Sequence, residues 1–188
     1  MSDIIEIVRF DVPPDKADAL VSGHERARLA IDALSPGWIW SRLARFHECS
    51  WVEIVAWRER AAFERALELS VNEPAAADWF DLAVPGWTIV LGEPVEHAGP
   101  VPPQQGTVEL IGARIGEDAA LVATADEDVQ WSMLIELDGR VWTGESWVRD
   151  PPGMLRMTVP APDRGSPPPS WTEVATIAHS YDAAGASV

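Results

Sequence analysis

Cysteine is nearly absent from this chain of 188 residues, where Cys49 stands alone. One thiol excludes an internal disulfide, and no Cys/His spacing matches a zinc site. Tyrosine is as scarce, with Tyr181 the single example, and Lys16 is the one lysine beside 13 arginines. Bases are outnumbered, 14 against 30 acids, for a formal net charge of -16. A surface of that sign repels phosphate, so neither nucleic acid nor an anionic membrane is expected as a partner. No apolar run reaches 18 residues, and the acidic start MSDIIEIVRF is unlike a signal peptide, so a cytoplasmic location is expected. No Gly-rich phosphate loop, paired-carboxylate motif or nucleophile elbow occurs. Neither a metal nor a cofactor is expected.

What is present is a core-forming hydrophobic fraction of 47%, 16 prolines and ten tryptophans. The stretch Pro100-Val101-Pro102-Pro103 cannot continue a helix or donate to a sheet, so 98–106 reads as a semi-rigid linker. It separates an N-terminal domain, 1–97, from a C-terminal one, 107–188. The first holds 9 bases and 17 acids, and the remainder 5 and 13. Each half is therefore at -8, and the acidity is a spread surface property.

The first half reads β-α-β-β-α-β. Ile4 to Val12 is a strand stopped by Pro13-Pro14. A helix follows from Asp15 to Leu34, with Leu20, Ala27 and Ile31 on its apolar stripe and Ser35-Pro36-Gly37 at its end. Gly37 to Phe46 and Trp51 to Trp57 form a hairpin, Arg58 to Leu69 a second helix, Pro74 opens a short third, and Trp87 to Leu91 is a fourth strand. This order defines a ferredoxin-like α+β unit. Its second sheet face is apolar and uncovered, which predicts a homodimer.

Several of these features carry a resemblance. The first strand ends at Pro13-Pro14, the long helix ends in Ser35-Pro36-Gly37-Trp38, Ala62-Phe63 begins the second helix, and Pro85-Gly86-Trp87 precedes the last strand. In these, residues 3–97 resemble the antibiotic biosynthesis monooxygenase family of dimeric α+β barrels. The resemblance implies a barrel formed by two sheets and, in one branch, cofactor-free oxygenation of aromatic polyketides. The haem-degrading branch of that family uses an Asn on the first strand and a His on the second helix. This chain has neither. The polyketide branch uses Asn, Trp, Tyr and Arg. Here Asn72 and Trp79 fall in the corresponding helical region, while Tyr181 lies in the other half.

The second half is strand-rich: Thr107 to Ile111, Ala120 to Thr124, a hairpin Gln130–Leu137 and Arg140–Val148 turning at Asp138-Gly139, Met154 to Val159, and Trp171 to Ser180. Two readings stand. It is an independent antiparallel β-domain, or a degenerate repeat of the first half. The repeat rests on Trp40-Ser41-x-Leu43 recurring as Trp131-Ser132-x-Leu134, on Trp51 falling on Trp142, and on Pro85-Gly86-Trp87-Thr88 echoing Pro169-Ser170-Trp171-Thr172. A repeat could cover the first sheet within one chain.

The site expected from these residues places His24, Asn72 and Arg42 in catalytic roles. His24 shares the helical face of Leu20 and Ile31 and could act as a base, Asn72 could orient a hydroxyl, and Arg42 could hold an oxyanion. Trp40, Trp57, Trp79 and Arg9 would bind a small aromatic substrate. Set against these are blander roles, Asn72 as a helix cap and the Trp rings as core. Two functions follow: a cofactor-independent monooxygenase of a small aromatic or polyketide-like substrate, or a non-catalytic dimeric barrel that binds or senses an apolar ligand.

Overall fold

In the computed structural model the chain is described over residues 4–98, 104–105, 107–114, 129–143, 147–149, 153–160 and 172–182. The first half holds β1 (Ile4–Asp11), α1 (Ala17–Leu34) after a 3-10 turn at Pro14–Lys16, β2 (Trp38–Arg45), β3 (Ser50–Trp57), α2 (Arg60–Ser70), α3 (Pro74–Phe80) and β4 (Thr88–Ala98). The second holds β5 (Thr107–Arg114), β6 (Val129–Trp142), β7 (Trp147–Arg149), β8 (Gly153–Pro160) and β9 (Thr172–Asp182). The expected strand at 120–124 lies outside the described residues.

The architecture is α+β. In the first half the strands pair antiparallel in the order β4-β1-β3-β2, the order of a ferredoxin-like unit. The sheet does not end there. β9 pairs antiparallel with β2, and β6 with β4. The second half runs β9-β5-β8-β6. Counted from its own first strand, and leaving out the short β7, that is again fourth, first, third, second. Eight strands thus close a ring in which the second half repeats the strand order of the first. The unpaired edges of one half are the pairing partners of the other, which removes the edge liability of both.

This ring also meets the demand that suggested a homodimer. The inward face of the first sheet, with Ile5, Ile7, Trp40, Ala44, Val52, Ile54 and Ala56, packs against Met133, Ile135, Leu155 and Met157 of the second half. The opposite face, with Ile4, Val8, Phe10, Leu43, Trp51, Val55, Ile89 and Leu91, packs against the helices through Leu20, Ile31, Phe63, Ala66 and Trp79. β1, β2 and β3 are therefore buried on both faces over most of their length. That explains why β1 and β3 are apolar at consecutive positions instead of alternating.

Three local details differ from the sequence expectation. Asp138-Gly139 is not a hairpin turn: β6 runs through it, and Arg140–Trp142 then pairs with β7. Between Gly92↔Leu137 and Val90↔Val141 the β6 side carries two more residues than β4, which makes a bulge. Gly139 takes φ 70, and Asp138 Oδ1 accepts from the Arg140 N–H at 3.1 Å. An Asp-Gly pair serves a bulge for the same reason that it serves a turn, namely its tolerance of positive φ. Asp138 also meets Arg60 of α2 at 3.2 Å, so the bulge ties the second half to the helix layer.

β2 carries a bulge of its own. Trp38 pairs with Trp57 and Trp40 with Ala56, so Ile39 is the extra residue. Parity would set Trp38 and Trp40 on one face; the bulge sets Trp38 among the helices and Trp40 inside the ring. Finally, β4 reaches Ala98, well past the expected end at Leu91 and into the stretch taken as linker. Its Gly92 lies on β6: a Cβ there would stand 2.3 Å from Ile135 Cγ2 and 2.7 Å from the Glu136 carbonyl oxygen. Only glycine lets the two strands approach so closely.

Candidate functional site

A cavity of about 550 Å³ lies between the helices and the outer face of the first sheet. Its walls are mostly apolar or aromatic, with Val8, Ile31, Trp57, Phe63, Phe80, Trp87 and Ile89. Phe80 and Trp87 stack at 5.8 Å and 17°. Val71, Asp81 and Pro85 line it and are exposed, so they mark its mouth. Two charged-type side chains reach its buried part, Glu6 from β1 and Arg28 from α1.

Both belong to one buried polar cluster. Glu6 and Glu53 share a sheet face as diagonal neighbours, since Glu6 opposes Val55 and Glu53 opposes Val8. On α1, His24 and Arg28 are one turn apart on the buried stripe. His24 Nε2 lies 2.7 Å from Glu53 Oε1, and Arg28 bonds Glu53 Oε2 through its Nη2. Glu53 is fully buried. The Arg28 guanidinium sits between the rings of Trp38 and Trp79, at 4.7 and 4.9 Å. Its Nε–H has no acceptor among the described residues. Glu6 accepts a hydrogen bond from the Trp57 indole N–H at 2.8 Å.

The two carboxyl groups are driven apart. Burial pushes Glu6 up to about 7, the negative charge of Glu53 adds to this, and Arg28 and the Trp57 bond oppose it. Burial acts on Glu53 in the same direction, but Arg28 and His24 outweigh it and hold its carboxyl below the usual range. The cavity therefore holds one carboxyl whose ionisation is pushed up toward neutrality, and behind it lies one that Arg28 and His24 hold toward its ionised form. Acid and base assignments in active sites follow from such pairs.

The residues expected from sequence fall in different places. Trp57 lines the cavity and holds Glu6. His24 is fully buried on the expected face, but it stands a layer behind the cavity, bonded to Glu53. Trp79 packs against His24 at 5.6 Å, donates to the Leu20 carbonyl at 2.8 Å and borders a smaller adjoining hollow. Asn72 is exposed in the turn between α2 and α3, its N–H bonded to the Leu69 carbonyl at 3.1 Å. The cap of α3 is Glu73, whose side chain accepts from the Ala75 N–H. Arg9, Trp40 and Arg42 belong to the opposite sheet face, inside the ring. Arg42 stacks on Trp40 at 5.6 Å and Arg9 on Phe46 at 5.4 Å. The structure thus brings His24, Trp57 and Trp79 together and separates them from the other four.

Glu6, Arg28 and Glu53 are the members that sequence reasoning passed over. Their signal was available: Glu6 and Glu53 stand in strand stretches whose neighbours are all core, and Arg28 falls on the buried stripe of α1 with Leu20, His24 and Ile31. Among the described residues no group of three or more His, Cys, Asp or Glu side chains could hold a metal ion. No described helix is long and apolar enough to cross a membrane.

No family model matches the chain, and no curated protein matches it. Solved structures do. An anthrone oxidase-like protein aligns over 97% of this chain and 94% of its own, with a TM-score of 0.64 and 10% identity. A candidate monooxygenase from Lactobacillus acidophilus NCFM aligns over 97% of each chain, with a TM-score of 0.60 and 11% identity. Another, from Fusobacterium nucleatum, covers 94% of this chain and 91% of its own, with a TM-score of 0.59 and 11% identity. At such identities the likeness is one of fold, and it extends across both halves of the ring.

Proposed function

We propose that this chain is a cofactor-independent monooxygenase, acting on a small aromatic or polyketide-like substrate held in the cavity between helices and sheet. The observation that carries the reading is a buried carboxyl, Glu6, that lines an aromatic-walled cavity beside the buried guanidinium of Arg28. The fold neighbours named for anthrone oxidation and monooxygenation point to the same chemistry.

A substrate of the anthrone or hydroquinone type suits the walls, because stacked rings of Trp and Phe favour flat ligands. Ionised Glu6 takes the proton of an acidic phenol or of a methylene beside an aryl ketone. The Arg28 Nε–H, which lacks an acceptor, donates to the oxygen on which the charge collects. The electron-rich anion passes one electron to dioxygen, and the radical pair couples to a carbon-bound hydroperoxide. Loss of water leaves a new carbonyl. For a methylene the balance is CH2 plus O2 giving C=O plus H2O, and the proton on Glu6 leaves in the water. The apolar walls exclude bulk water, which keeps Glu6 basic enough for this role.

The test is oxygen uptake by purified, chelator-treated protein with a panel of anthrones and naphthohydroquinones, corrected for autoxidation. The rate constant kcat/KM is expected to rise with pH through about 7, where Glu6 loses its proton, and then to level off. Uptake no faster than autoxidation across the panel, or a rate that falls with rising pH over that range, would overturn the reading. Quenching of Trp fluorescence without turnover would select the ligand-binding alternative.

A further inference from the structure

Glu53 is the least accessible charged group of the cluster, yet it commands the strongest donors. Its two oxygens engage the His24 imidazole at 2.7 Å and the Arg28 guanidinium. Glu6, a diagonal neighbour on the same sheet face, receives only a neutral indole N–H from among the described residues. Charge-assisted bonds are about twice as strong as neutral ones. The cluster therefore spends its cation on the carboxylate that does not touch the cavity.

We infer that Glu53 is a positioning residue: by engaging Arg28 and His24 it keeps the guanidinium from pairing with Glu6 and leaves Glu6 as the carboxyl that carries the proton. The inference deepens the proposed reading of the cavity and rests on Glu6 being its base. The geometry is specific about direction. Arg28 lies over the rings of Trp38 and Trp79, contacts that remain when Glu53 is replaced. Without Glu53 its charge would act on Glu6 unopposed. Two effects then add, since the loss of the Glu53 charge and the release of Arg28 each favour ionised Glu6. The other groups about Glu6 are His24 on α1, held by Glu53, and the exposed Asp81 at the cavity mouth. Asp81 is unaltered in the comparison below, whereas His24 exchanges its carboxylate partner for an amide in Glu53→Gln.

The experiment is an infrared pH titration of the protonated-carboxyl band of Glu6, isolated by difference against Glu6→Gln, in the full chain without substrate. In the unaltered protein the midpoint is expected at about 7. In Glu53→Gln it is expected to fall by about one pH unit or more, as an adjacent cation does to a carboxylate. In the double variant Glu53→Gln/Arg28→Met it is expected to rise above that of the unaltered protein, because Arg28 lowers Glu6 more than Glu53 raises it and only the Trp57 bond then opposes burial. A merely structural Glu53 would leave the midpoint in place in Glu53→Gln. An unchanged or raised midpoint in Glu53→Gln, or a double variant at or below the unaltered value, overturns the inference. The double variant is charge-neutral and decides alone if the single one does not fold. Since no turnover is needed, a protein that shows these shifts but no oxygen uptake would sink the oxygenase reading and leave this one standing.

Discussion

Replacing Glu6 by Gln is expected to lower kcat by about 100- to 10,000-fold, the range a positioned general base supplies. Gln occupies nearly the same volume and can accept the Trp57 indole bond at its amide oxygen. The cavity and its rings are retained, so ligand affinity read by Trp fluorescence should change little. What is lost is the ability to take a proton. The same variant carries a second signature that does not depend on the reaction. The folded-state value of Glu6 is raised, from 4.5 to about 7. A raised carboxyl contributes stability that is fully present below its unfolded value and is lost as pH rises through its folded value. Ionising Glu6 in place thus costs about 3 kcal/mol above neutrality, at 1.36 kcal/mol per pH unit. Glu6→Gln should therefore gain on the unaltered protein in urea denaturation between pH 5 and pH 8. A stability difference that is flat across those pH values, or full turnover in the variant, would show that Glu6 is not a buried ionising base.

Arg28→Met should be the most destabilising single change in the cluster, at about 3–5 kcal/mol. Removing one partner of a buried pair leaves the other charged and uncompensated, which is the costly direction. Glu53 has no exposure and would keep only His24. The rings of Trp38 and Trp79 would also lose the cation between them. Adding Glu53→Gln should recover most of the loss, because a neutral pair replaces the charged one. Urea denaturation at pH 8 measures both. A loss below about 1 kcal/mol in the single variant, within the range of an exposed pair, would mean that water reaches Glu53.

Much of the ring was legible in the chain, and the reasons it was not wholly so are local. Strand and stop signals such as Ile4 to Val12 before Pro13-Pro14 depend on neighbours in sequence, and these located the elements of the first half to within a few residues, the far end of β4 excepted. Closure depends on partners far apart. The Trp40/Trp131 and Thr88/Thr172 echoes fall on equivalent strands, β2 with β6 and β4 with β9, while Trp171 lies outside the described residues. The Trp51/Trp142 echo does not: Trp51 lies on β3, whose counterpart in strand order is β8. Parity failed at Trp40 because one bulged residue reverses every facing after it. Trp38, not Trp40, is the ring on the helix side.

The acids carry a more general lesson. In Ile4-Ile5-Glu6-Ile7-Val8 and Val52-Glu53-Ile54-Val55 the neighbours are apolar at both parities, so the strand is buried on both faces and an acid at either parity is inside. That argument needs no structure. On α1, Leu20, His24, Arg28 and Ile31 follow a single stripe, and the same reasoning makes Arg28 internal beside His24. Which acid pairs with the arginine, and which faces the cavity, follows only from the register of β1 on β3.

The most direct test of where chemistry occurs is a crystal structure of Glu6→Gln with a hydroxylated anthraquinone, a product-like ring inert to oxygen. The ring is expected between Trp57, Phe63, Phe80 and Trp87, with an oxygen at hydrogen-bond distance, about 2.6–3.2 Å, from residue 6 and from Arg28. A ring bound instead inside the barrel, against Trp40, Arg9 and Arg42, would contradict the assignment of the cavity and of Glu6 as its base.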